Sequence, residues 1–128
     1  AENLRHVLRE IEGHFVSGYA DGGDDPTKQL EILPGALDAA SEILATKPDT
    51  AARFDRVAKL VDGFETPYGM ELLATVHWVA QHEAADSPQA AVGAVHRWNE
   101  RKRQFSTEEI GIAWETLKRE GWTRPAVQ

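Results

Sequence analysis

Apolar residues recur along most of this chain at helical spacing. Residues 2–12 place Leu4, Val7, Leu8 and Ile11 on one face, the pattern of an amphipathic helix, and Gly13 is a natural stop. The period then changes. Phe15, Ser17 and Tyr19 alternate with His14 and Val16, residues 29–33 alternate again, and ADGGDDPT lies between them. Two short alternating runs around a Gly/Asp/Pro segment predict a β-hairpin with a long acidic tip. Pro34 opens a second helix with Leu37, Ala40, Ser41 and Leu44 on one side. Lys47-Pro48-Asp49 breaks it, and Asp49 or Thr50 is expected to cap a third helix that turns Phe54, Val57, Ala58 and Val61 inward.

Gly63 to His82, GFETPYGMELLATVHWVAQH, is the stretch around which the rest is organised. Thr66 can cap its helix, and Pro67 suits the first helical position, where a missing N–H costs nothing. Met70, Leu72, Leu73, Val76, Trp78 and Val79 are apolar on more than one face, which predicts a central helix. Asp86-Ser87-Pro88 starts a fifth helix with Ala91, Val95 and Trp98 on one face. Ser106 and Glu109 form a capping box for a sixth, which packs Ile110, Ala113, Trp114 and Leu117. Gly121 should stop it and let Trp122 fold back. The expected fold is mainly α: a single compact domain, residues 1–122, of about six helices with one small β-hairpin after the first, and a flexible tail over 123–128.

Composition changes this picture little. The 128 residues are 41% hydrophobic and 27% charged, as in ordinary globular domains. With no cysteine there is no disulfide framework, thiol nucleophile or thiolate metal site, which fits a reducing cytoplasm. No run is long and apolar enough to suggest a membrane span. The opening AENLRHVL already looks helical, which suggests a piece of a longer chain.

Charge says more. The net charge is −7, and it is uneven: residues 1–90 hold 16 acids and 7 bases, whereas residues 91–128 hold 5 acids and 7 bases. The acidic part repels nucleic acid and attracts basic partners. Asp21, Asp24 and Asp25, with Tyr19 beside them, offer carboxylates and a stacking face, a combination suited to a basic, aromatic groove on another protein. The opposite cluster, HRWNERKR over 96–103, supplies Arg97, Arg101, Lys102 and Arg103 with an aromatic among them. It reads either as a nucleic-acid contact or as cations at a helix end with Trp98 packed inward.

Catalytic signatures are lacking. There is no phosphate loop, dinucleotide fingerprint or Gly-x-Ser-x-Gly. His77 and His82 lie about 140° apart around an ideal helix and form no ligand pair. His77 is expected in the core with a partner, or at the edge of a groove. The residues imply no cofactor and no metal.

GFETPYGMELLATVHWVAQH, AVHRWNERKRQFSTEEIGIAWETLKREGW and AENLRHVLREIEGHFVSGYADG together resemble the C-terminal region of the DarG family of bacterial antitoxins, from Ala1 to Trp122. The resemblance implies a toxin-binding domain separated from the family's macrodomain, which removes ADP-ribose from thymidine in DNA. It implies a partner, the toxin DarT, an NAD-dependent ADP-ribosyltransferase acting on single-stranded DNA. It also implies family residues before Ala1, and no hydrolase activity in these 128 residues. An acidic domain could block such a toxin by occupying its DNA groove as a mimic of DNA. Expected toxin contacts are Tyr19, Asp21, Asp24, Asp25, Tyr68 and Glu71. The expected state is cytoplasmic, monomeric or paired with toxin, with no membrane contact and no direct nucleic-acid binding. Competing readings are a DNA-binding domain using residues 97–103, an enzyme built on His77 and His82, and a purely structural helical domain.

Overall fold

The computed structural model describes residues 2–18 and 29–123. It contains six α-helices and one two-stranded antiparallel hairpin, the expected mainly α composition. The chain gathers into two compact units, Ala1–Ala52 and Arg53–Gln128, and the division falls within the third helix.

In the first unit, α1 (Glu2–Ile11) has the predicted amphipathic period. The chain then turns at Gly13 (φ 80°), whose amide donates to the Val16 carbonyl at 2.8 Å. Strands β1 (Val16–Ser17) and β2 (Glu31–Ile32) pair antiparallel, Val16 opposite Ile32 and Ser17 opposite Glu31. Glycine is required at position 18. Its φ is 103°, and a Cβ there would meet the Gln29 carbonyl oxygen at 2.7 Å. The Gly18 amide is held by the Glu12 carboxylate at 3.1 Å. The hairpin was thus legible in its period, and among the described residues two of each predicted run pair as strands. Its acidic tip lies outside the described residues.

Helix α2 (Ala36–Ala45) starts two residues after Pro34, with left-handed Gly35 at its N-cap. Helix α3 (Pro48–Val61) starts at Pro48, ahead of the expected caps Asp49 and Thr50. Proline's fixed φ and missing N–H suit the first helical position, so Pro48 begins this helix and Lys47 accepts the Ala51 amide at 3.0 Å. No described residue of the first unit is buried.

The second unit holds the core. Helices α4 (Pro67–His82), α5 (Pro88–Trp98) and α6 (Thr107–Arg119) pack against one another. All three start as read from sequence. Thr66 Oγ1 accepts the Gly69 amide at 2.9 Å, Ser87 Oγ accepts the Ala90 amide at 3.1 Å, and Ser106 and Glu109 form a reciprocal capping box. Leu72, Leu73, Val76 and Val79 of α4 meet Ala91, Ala94 and Val95 of α5 and Ile110, Ala113, Trp114 and Leu117 of α6. Small residues on α5 let the neighbouring helices approach closely. Phe105, in the linker between α5 and α6, is fully buried. Gly121 (φ 78°) ends α6 as predicted: its amide bonds to Lys118, and Trp122 returns its amide to Leu117 at 2.8 Å.

Burial departs from the sequence pattern in three places. Helix α4 is buried on one broad face, while Met70 and Trp78 are 46% and 48% exposed. Trp98 stands out from α5 instead of packing beneath it. Of the expected inward face of α3, Phe54, Val57 and Ala58 are exposed, and only Val61 packs on the core, with Leu60 and Phe64.

Candidate functional site

Two of the predicted contact residues, Tyr68 and Glu71, lie in the first turns of α4 and meet the segment after α5. That segment is a 3-10 turn over Arg101–Gln104. Asn99 shapes it by accepting the Lys102 amide on its side chain at 2.9 Å. The His96 ring donates from Nε2 to the Phe105 carbonyl at 2.7 Å, and Arg103 Nε donates to the His96 carbonyl at 3.3 Å. The turn therefore presents Arg101 and Lys102 to α4.

Lys102 is the centre of this arrangement. Its side chain is 12% exposed, and an ammonium that far from water needs partners. Nζ donates to Glu71 Oε1 at 2.8 Å and to Thr75 Oγ1 at 3.0 Å. It also lies 5.1 Å above the Trp98 ring and 5.8 Å from the Phe105 ring, in reach of their π faces. Arg101 bonds to the same Glu71 carboxylate from the exposed side. Lys102 holds the Glu71 carboxyl below the usual carboxylate range; partial loss of water opposes this, and Arg101 adds to it. Glu71 is consequently an anion committed to two cations.

Tyr68 packs edge-to-face on Phe105, ring centroids 5.1 Å apart, and its hydroxyl donates to the Glu109 carboxylate, with the Gln104 carbonyl 3.3 Å away. The hydrogen bond to Glu109 pushes the phenol above its ordinary pKa, assisted by loss of water and by the negative charge of Glu109 and Glu71. Tyr68 is thus kept neutral and donating. The residue stays 39% exposed, so it can still touch a partner. Tyr19, Asp21, Asp24 and Asp25 lie outside the described residues.

The basic cluster is divided by this network. Arg101 and Lys102 spend charge on Glu71, which weakens them as phosphate contacts. A second group of side chains was missed from sequence. Trp78 and Trp98 stand 6.3 Å apart at the surface, and His82 lies against Trp78 with centroids at 3.9 Å. Sequence offered one signal, for Trp78 alone: it lies off the stripe that Leu72, Val76 and Val79 already fill, whereas Trp98 is in register with Ala91 and Val95. His77 packs edge-on to Trp122 at 6.0 Å, so it neighbours the refolded C-terminal turn and is apart from His82. Among the described residues no three histidines or carboxylates gather closely enough to hold a metal ion. No helix among them is long and apolar enough to cross a membrane.

Fold and site together define a small, mainly α-helical domain whose accessible chemistry is ionic and aromatic. No family model matches the chain. It is 41% identical over 125 residues to a protein of Thermus aquaticus named DNA ADP-ribosyl glycohydrolase, a match that covers 98% of this chain and 34% of that protein. Proteins of the same name from Mycobacterium bovis and Mycobacterium tuberculosis are 37% identical over 123 residues, covering 91% of this chain and 35% of each. The chain belongs to the DarG family, and it spans about a third of the length of the curated relatives it matches, an extent that fits the family's C-terminal domain.

Proposed function

We propose that this chain is the toxin-binding domain of a DarG-type antitoxin, and that it inhibits a DarT-type DNA ADP-ribosyltransferase by filling the groove meant for single-stranded DNA. One observation carries the reading: a member of this family holds 16 acids against 7 bases over residues 1–90. A DNA-modifying toxin needs a basic groove for its strand. An acidic domain is drawn to that groove by long-range attraction and competes with the strand once there. Tyr19, Asp21, Asp24 and Asp25 are the proposed mimics of base and phosphate, with Tyr68 and the Glu71 corner as a second contact.

On this reading the domain is not itself an enzyme, needs no cofactor or metal, and works in the cytoplasm as a monomer or paired with toxin. The glycohydrolase activity named for the relatives falls to the family's macrodomain. The two-stranded hairpin described here is not the sheet of such a domain. The engagement of Arg101 and Lys102 with Glu71 argues against the competing reading as a charge-driven DNA-binding domain.

The test mixes this domain with its cognate toxin and measures ADP-ribosylation of a thymidine-containing single strand at several DNA concentrations. Inhibition relieved by added DNA is expected, and Asp21→Asn, Asp24→Asn and Asp25→Asn together should weaken it. Inhibition insensitive to DNA would replace groove occupation with binding elsewhere. No inhibition by a demonstrably folded domain would overturn the antitoxin reading.

A further inference from the structure

The core unit leaves two of its largest apolar side chains in water. Trp78 and Trp98 are 48% and 45% exposed, while Trp114 in the same unit is 6% exposed. Exposed tryptophans held side by side are costly to keep in water, and their arrangement here is specific. A flat ring held between two others needs about 7 Å between them, twice the carbon contact distance. The Trp78 and Trp98 centroids are 6.3 Å apart with planes inclined at 37°, too close to admit a ring between them, so the two form one tilted aromatic wedge whose half-exposed rings can take a stacking partner from outside.

Neighbours brace both rings. His82 lies against Trp78, and the Lys102 ammonium stands over Trp98. Neither lines the cleft of about 410 Å³ that opens beside the tryptophans, which is bounded by Trp78, Val79, Glu83, Ala94, Arg97 and Trp98. Val79 and Ala94 are buried and give it an apolar floor. Arg97 and Glu83 supply one charge of each sign, and neither takes an ion-pair partner among the described residues. Gly93 leaves room for the guanidinium: a Cβ there would stand 3.0 Å from Arg97 Nη1.

From this geometry we infer that the cleft binds a nucleotide, its base stacked on the exposed Trp78–Trp98 pair, its phosphate on Arg97 and an N–H of the base edge donated to Glu83. A flat heterocycle satisfies the exposed aromatic rings, a phosphate satisfies the free guanidinium, and a donor edge satisfies the free carboxylate. A purely apolar peptide side chain would fill the floor and leave both charges without counterparts. Bases in a duplex are already stacked on one another, so the ligand is an unpaired base of a single strand or a free nucleotide. The inference does not depend on toxin binding, since it uses neither the acidic hairpin nor Tyr68 and Glu71.

The test titrates the purified chain with labelled oligothymidylate and oligocytidylate single strands, with a duplex control, at low salt. AMP and ADP-ribose are added both alone and as competitors. Label anisotropy and tryptophan fluorescence are read together. A single strand or a free nucleotide should quench the exposed tryptophans while the duplex does not. Trp78→Ala and Trp98→Ala should each weaken binding about 5- to 100-fold, and Trp98→Phe should retain most of it. Arg97→Gln should weaken binding and, for the strands, reduce the salt slope by about one. Full competition by AMP identifies a free-nucleotide site, and binding of strands that AMP does not displace identifies a strand site. The inference is overturned if no probe quenches tryptophan fluorescence up to millimolar concentration. It is equally overturned if binding survives both alanine variants with helicity intact by circular dichroism. Loss of toxin binding in those variants, with no nucleotide bound by the parent chain, would make the wedge a protein contact instead.

Discussion

The two units of this molecule have similar sequence patterning and opposite burial. In the unit ending at Ala52, α1 and α2 carry clear apolar stripes, yet Leu4, Val7 and Leu37 are 63%, 51% and 69% exposed. In the unit beginning at Arg53, α4, α5 and α6 bury Val76, Val95, Ile110 and Leu117 completely. The difference teaches that an amphipathic period is a statement about a helix, whereas burial is a statement about its neighbours. Three helices that face one another form a core. Two helices and a four-residue sheet do not. Stability should therefore reside in the second unit, and the exposed faces of the first should be available to something else.

The strongest way to break that contrast is to empty the core at Phe105. Phe105→Ala removes a side chain that is fully buried against the three-helix cluster. The loss should be about 3–5 kcal/mol, read from urea unfolding followed by tryptophan fluorescence. A cost below about 1 kcal/mol would mean that this unit does not fold around Phe105.

Gly69→Ala probes the start of α4. A Cβ at Gly69 would sit 2.7 Å from the Phe64 carbonyl oxygen and 3.0 Å from the Phe64 Cα, so backbone must move to admit it. Alanine normally favours helix, and its propensity gain is under about 1 kcal/mol. The steric cost should win, leaving a net loss of about 1–3 kcal/mol. A stabilised variant would show that the turn before α4 is free to give way.

The ionic corner should show itself through pH. Because Lys102 and Arg101 hold the Glu71 carboxyl below its usual range, this group stabilises the fold above the ordinary carboxylate pKa. That contribution is lost as pH falls through its lowered folded value. Glu71→Gln should cost on the order of 1 kcal/mol at neutral pH and flatten the acid limb of the stability profile. Lys102→Met should flatten it similarly, and an unchanged acid limb in both variants would place the titration elsewhere. Tyr68 acts at the other extreme. Its raised phenol pKa gives a contribution present below the ordinary tyrosine value and lost as pH rises through the folded one.

What sequence could reveal follows from range. Caps are built from three or four consecutive residues, so Thr66-Pro67, Ser87-Pro88 and Ser106 with Glu109 were all legible. The Gly121 stop and the return of Trp122 were legible for the same reason. The Lys102–Glu71 pair is 31 residues apart and the Tyr68–Glu109 pair 41 apart, and only the packing of α4 against α6 and the turn before it brings them together. Tyr68 and Glu71 were singled out for their position at a helix start, and no local pattern named their partners. The tryptophan wedge was hidden by a reasonable prior. Large aromatics in apolar helices usually point inward, but Trp78 lies off the stripe of Leu72, Val76 and Val79, and Trp98, in register with Ala91 and Val95, is the last residue of α5 and stays 45% exposed.

The smallest expected effect is also the one that sharpens the contrast most. Leu37→Ala truncates a large apolar side chain on α2, a substitution that costs about 2–5 kcal/mol in a filled core. At 69% exposure little of that area leaves water on folding, so the change should stay within about 0.5 kcal/mol in urea unfolding. Leu117→Ala on α6, chemically the same truncation at a fully buried position, serves as the internal reference. If the two costs converge, the apolar face of α2 is covered in solution and the first unit owes its order to that cover. If they differ as expected, the stripe on α2 has been kept apolar without a stability benefit to the isolated chain. A partner that covers it should then raise the cost of Leu37→Ala toward that of Leu117→Ala, and repeating the pair of measurements with the proposed toxin partner present reads that shift directly.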